Sequence, residues 1–110
     1  MTPSSLNVDH VAMRVSDLPV EIERWQRLGH EVTIQSPTMA SVWTANGIRI
    51  VLLAEGSEHP SHLAFLEMDA GRFAHAAQVE GKEPTENKDG SRSFYTQGLK
   101  GFALEWVWRP

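Results

Sequence analysis

His10, His62 and Glu105 are the residues of this chain whose types and settings could do chemistry. Each histidine stands at the entrance of an alternating apolar strand, in HVAMRVSD (His10 to Asp17) and in HLAFLEMD (His62 to Asp69). Glu105 lies inside FALEWVW, an otherwise apolar segment. An ionised carboxylate in such a place is costly to bury unless a positive partner meets it. Arg14, Arg49, or a cation shared with His10 and His62 could be that partner. Two neutral imidazoles and one carboxylate, with coordination positions left over, match the set used by non-heme Fe(II) and tolerated by Mn(II), Ni(II), Zn(II) or Co(II). The chain has no cysteine, so any metal must be held by nitrogen and oxygen, and disulfide frameworks and thiol nucleophiles are excluded.

The elements that position these residues occur twice. Shifting the sequence by 52 residues aligns His10 with His62 and Asp17 with Asp69, in a shared pattern His-x-Ala-x-x-x-x-Asp. Gly29 follows Asp17, and Gly81 follows Asp69, at the same interval of twelve residues. Each aspartate reads as a helix N-cap and each glycine as the helix end. Leu18, Ile22, Trp25 and Leu28 form the buried stripe of the first helix; Phe73, Ala76, Ala77 and Val79 are expected to form that of the second. After the first helix, strands are expected over His30 to Gln35, Ala40 to Thr44 and Ile48 to Leu53, with Asn46-Gly47 as a hairpin turn. After the second they are expected near Glu83 to Asn87, Ser91 to Thr96 and Phe102 to Trp108. Asp89-Gly90 supplies one turn there and Leu99-Lys100-Gly101 the other. The expected fold is α+β: two βαβββ units, residues 6–55 and 61–108, forming a cupped mixed sheet with helices on the outer face, in one domain spanning 1–110.

Strand alternation assigns the faces. Val11, Met13 and Val15 point to the first helix, which leaves His10, Ala12 and Arg14 on the concave side; Leu63 and Phe65 point to the second, which leaves His62, Ala64 and Leu66. In the last strand Phe102, Leu104, Trp106 and Trp108 share one face, so Glu105 takes the other with Ala103 and Val107. Arg49 alternates with Ile48 and Ile50 and falls on the concave face with Arg14. Two inward guanidinium groups suit an anionic substrate, or serve to neutralise Glu105.

These residues resemble the vicinal oxygen chelate superfamily, which includes glyoxalase I, extradiol dioxygenases, fosfomycin-resistance thiol transferases, methylmalonyl-CoA epimerase and bleomycin-binding proteins. The motifs that carry the likeness are DHVAMRVSDL, SHLAF and the closing SFYTQGLKGFALEW. The resemblance implies paired βαβββ units and one divalent metal ion (Fe2+, Mn2+, Ni2+ or Zn2+) on His10, His62 and Glu105. It also implies a small oxygen-chelating substrate whose negative charge the metal stabilises. Tyr95 in SFYT matches a pocket-lining tyrosine of the family, placed to donate a proton or hydrogen bond to a metal-bound oxygen. Arg14, Arg49 and Tyr95 are the expected substrate contacts. The position of the fourth glyoxalase ligand falls near Val51, which cannot coordinate, so the His-His-Glu members are the nearer pattern. Dioxygenase, lyase/isomerase and thiol-transferase chemistry stay open. The competing class is a metal-free binding protein of the drug-sequestering type.

A formal charge of -4, with ten scattered Lys and Arg, offers no stripe for a phosphate backbone, so no nucleic-acid partner is expected. No apolar segment approaches membrane-spanning length and no signal peptide is evident, which reads as a cytoplasmic protein with no membrane partner. So short a chain resembles family members that complete their sites as homodimers. In one such arrangement His10 comes from one subunit and His62 with Glu105 from the other.

Overall fold

The computed structural model describes residues 5–98 and 102–110. The alternating segment HVAMRV belongs to strand β1 (Leu6–Val15), which Asp17 ends by capping helix α1 (Leu18–Arg27): its carboxylate accepts the Val20 N–H at 3.2 Å. Strands β2 (Thr33–Ser36), β3 (Met39–Trp43) and β4 (Arg49–Ala54) follow, then β5 (His62–Glu67). Asp69 caps helix α2 (Ala70–Glu80) in the same way, through the Arg72 N–H at 2.9 Å. Strands β6 (Thr85–Glu86), β7 (Arg92–Thr96) and β8 (Ala103–Trp108) complete the chain. The strand order β2-β3-β4-β1-β5-β8-β7-β6 makes a mixed eight-stranded sheet, and with two helices the fold is α+β, as expected.

Two compact units divide the chain, His10–His62 and Met1–Asp9 with Leu63–Pro110. The spatial units thus differ from the sequence repeat at the start of β1, because the Met68 N–H bonds to the Ser5 carbonyl and ties that end to the second half. In the unit His10–His62, β1 runs parallel to β4, and β4, β3 and β2 pair antiparallel. One face of this sheet packs Ala40, Leu52, Met13 and Val15 against Leu18, Ile22 and Trp25 of α1. The other face carries a second apolar cluster of Ala12, Val51, Leu53 and Met39, with His10 and Arg49 beside it in register. In the other unit Phe73 and Ala77 of α2 meet Phe94, Trp106 and Trp108. The assignment of Trp106 and Trp108 to the helix side therefore holds, and Glu105 falls on the opposite face.

Both helices close identically. The N–H groups of Gly29 and His30 return to the carbonyls of Gln26 and Trp25, and those of Gly81 and Lys82 to Gln78 and Ala77. This paired closure needs a left-handed residue, and Gly29 (φ 95°) and Gly81 (φ 65°) supply it.

Three expectations are corrected. Leu28, expected in the buried stripe of α1, caps the helix end instead and is 64% exposed. The strand foreseen from His30 begins only at Thr33, because His30 is still bonded to the end of α1 and its ring lies 5.8 Å from that of Trp25. Val79 is 69% exposed, not buried. Six residues beyond Phe73 is a rotation of about 240° on an α-helix, which puts Val79 off the stripe that Ala76 and Ala77 share with Phe73. The expected turn at Leu99-Lys100-Gly101 lies outside the described residues. The Asn46-Gly47 and Asp89-Gly90 turns form, each with its glycine at φ 83°.

The turn at Asp89 is fastened by charge. Its carboxylate accepts from the hydroxyl and backbone N–H of Ser91 and from Arg109 at 2.8 Å, while Arg109 also reaches Asp9 at 3.2 Å. The Ser91 bonds, and then Arg109, push the Asp89 pKa down to about 2 from 3.8.

Two outcomes follow from these contacts. Asp69→Ala removes a cap and is expected to cost about 1 kcal/mol, lowering the melting temperature by roughly 5 °C in a thermal scan. Because the folded-state pKa of Asp89 is depressed, its contribution is present above its unfolded value and is lost as pH falls toward about 2. The stability gap between wild type and Asp89→Asn, measured by urea unfolding, should therefore shrink from about pH 5 to about pH 2; a gap that does not change would refute this role of the carboxylate.

Candidate metal centre

His10 and His62 meet within one chain and one unit. His10 is the fifth of the ten residues of β1 and His62 opens β5; they are 9% and 4% exposed. Their Nε2 atoms are 3.0 Å apart and their rings meet edge to face, with centroids 5.1 Å apart. The Nδ1 of His62 lies 2.7 Å from the Pro60 carbonyl oxygen. A carbonyl only accepts, so this nitrogen carries a proton, and Nε2 is the ring nitrogen turned toward His10. A ring nitrogen fixed by a carbonyl behind it is how proteins commonly orient a metal-binding imidazole.

The segment that supplies that carbonyl is itself held by Arg14. The Arg14 guanidinium donates to the carbonyls of His59 (2.7 Å) and Ser57 (2.6 Å), and its backbone N–H donates to the Ser61 hydroxyl (2.9 Å). Arg14, read from the sequence as a substrate contact, is engaged in fastening the approach to His62. Arg49 stands in register with His10 on the neighbouring strand and with Trp43 on the next. Its guanidinium carbon lies 5.9 Å from the centre of the Trp43 ring.

Glu105 and Tyr95 are directly opposite each other in the β7–β8 pair of the other unit. Glu105 is 8% exposed, Tyr95 half-buried. Burial first, then the charge of Glu105 and a hydrogen bond to it, raise the Tyr95 pKa well above that of a free phenol. The hydroxyl therefore keeps its proton at neutral pH and donates a hydrogen bond to the carboxylate. The sequence reading sought a positive partner for Glu105 and missed this neutral one. An apolar cavity of about 480 Å3 in the same unit, lined by Phe73, Ala77, Pro84 and Trp108 among others, contains none of the expected site residues. Among the described residues no helix is long and apolar enough to cross a membrane.

No family model matches the chain, and no curated protein sequence matches it. Solved structures do. Methylmalonyl-CoA epimerase from Mycobacterium tuberculosis superimposes with a TM-score of 0.70 at 20% identity, over 100% of this chain and 93% of that one. A glyoxalase/bleomycin resistance protein/dioxygenase superfamily member from Vibrio splendidus 12B01 gives 0.64 at 17% identity, over 94% and 97%. An extradiol ring-cleaving dioxygenase from B. fuscum gives 0.70 at 18% identity, over 97% of this chain and 33% of the longer enzyme. With sheet order, helix placement and these superpositions in agreement, the chain has the fold of the vicinal oxygen chelate superfamily, the family its motifs resemble.

Proposed function

We propose that the protein is a metal-dependent enzyme that holds one divalent ion on His10, His62 and Glu105 and acts on a small substrate chelating through two oxygens. The observation that carries this reading is the pair of buried imidazoles, whose Nε2 atoms stand 3.0 Å apart. The donor set fits. Metal–nitrogen bonds of about 2.1 Å would let two nitrogens share one ion at the 3.0 Å that separates the imidazole Nε2 atoms. His and carboxylate ligands suit Fe2+, Mn2+, Ni2+ or Zn2+. The superimposed epimerase and dioxygenase are enzymes of this fold, which supports the same class here without choosing the reaction.

A bound ion supplies Lewis-acid stabilisation of the negative charge that develops on a chelated oxygen. The chain's own residues do the rest. The Pro60 carbonyl holds the Nδ1 proton of His62 and keeps its Nε2 turned inward. Tyr95 donates to Glu105 and so fixes the carboxylate. Three protein ligands leave positions open for substrate, because Val51, where a fourth would fall, is a buried hydrocarbon. A second reading has one observation in its favour: at 3.0 Å the two imidazoles can also hydrogen-bond to each other, as a metal-free binding protein would need.

Elemental analysis of protein purified without an affinity tag decides between them. One equivalent of metal is expected in the wild type and under about a tenth of that in His62→Ala and Glu105→Ala, because removing a ligand removes most of the affinity. Apo protein given ion at about 100 times its Kd should gain about 2.7 kcal/mol of stability. Metal content indifferent to these substitutions, or no thermal shift with any of the four ions, would overturn the enzyme reading. Tyr95→Phe leaves the ligands in place and is expected to weaken metal affinity about tenfold, read by competition with a chelating dye; unchanged affinity would remove Tyr95 from the site.

A further inference from the structure

Across adjacent strands of the unit His10–His62, one row of side chains reads Trp43, Arg49, His10. Trp43 and Arg49 are register partners on β3 and β4, and Arg49 and His10 on β4 and β1. His62 adjoins His10 at 3.0 Å. Register partners on neighbouring strands project from the same face about 4.8 Å apart. A guanidinium is thus carried on the same face as the imidazole pair, one strand away from it.

Arg49 has the features of a prepared anion site. It is half-buried, and among the described residues no carboxylate pairs with it. Its guanidinium carbon lies 5.9 Å from the centre of the Trp43 ring, a cation–π contact that consumes none of its N–H donors. Trp43 does this while 61% exposed, so the ring is not needed to fill the core. Arg14, the other cation on this face, is bonded to the carbonyls of Ser57 and His59.

We propose that Arg49, steadied by Trp43, is the specificity-determining residue of the site, and that the substrate is an oxygen chelate bearing a carboxylate about one strand spacing beyond its chelating pair. This rests on the metal reading above, and the test separates the two. The protein is loaded with Co(II), whose visible absorption reports ligand exchange, and titrated with catechol and with 3,4-dihydroxybenzoate, which differ by one carboxylate.

Wild type should bind the dihydroxybenzoate more tightly, and in Arg49→Gln the ratio of the two affinities should fall about tenfold while catechol binding changes less than about twofold, since one charge-assisted fork is lost. Trp43→Leu, at an exposed position, should lower the ratio part of the way. A wild type with no preference, or an Arg49→Gln protein that keeps it, overturns the proposal and leaves the metal reading standing. Failure of Co(II) to bind, or of either probe to change its spectrum, overturns the metal reading and this proposal with it.

Discussion

A carboxylate on the middle of an apolar strand is the constraint on which the site depends. Glu105 has 8% of its surface exposed, and its neighbours Trp106 and Val107 belong to strand β8 with no charge of their own. Water cannot solvate it, so the protein must. Tyr95, directly across the β7–β8 pair, gives it one strong neutral donor. A neutral donor lowers the cost of burying the charge without cancelling it. On the proposed reading the charge is met by a metal ion, and the two imidazoles are its other protein ligands. The apolar faces serve the same end: the tryptophans beside Glu105 point to α2, so the polar side of β8 is free of bulky side chains.

Much of the fold was legible because its signals are local and occur twice. Asp17 with Gly29, and Asp69 with Gly81, bracket two helices that start with the same carboxylate cap and end with the same left-handed glycine. Alternation in β1 and β8 assigned the faces without help from tertiary structure. What failed was the reading of boundaries. His30 carries strand-like neighbours, but the closure of α1 claims its N–H, and a hydrogen bond cannot be counted from residue type. Val79 is apolar at a helical position, yet the angle from Phe73, not its hydropathy, decides that it faces out.

The site was legible in part. The repeat pointed to His10 and His62 as equivalent stations, and the structure brings their Nε2 atoms together. The Tyr95–Glu105 pairing was also within reach, because the two expected strands, paired antiparallel, set 95 opposite 105. It went unseen because an ionised residue prompts a search for opposite charge. Arg14 was beyond reach. Its guanidinium bonds to backbone carbonyls in a connection that has neither periodicity nor turn signature, and the reading could only place the residue on a face.

That connection has an effect on the site out of proportion to its appearance. Surface loops ordinarily absorb insertions, deletions and substitutions with little consequence. Residues 57–61 form such a stretch between β4 and β5, yet the Pro60 carbonyl decides which nitrogen of His62 faces inward, and Arg14 decides where that carbonyl sits. A change of one residue in its length would alter the ligand's tautomer and aim while leaving every candidate ligand intact. The identity of the ligands is written in the strands, but their chemical state is written in the loop, and drift in this segment would retune the site before any ligand is replaced.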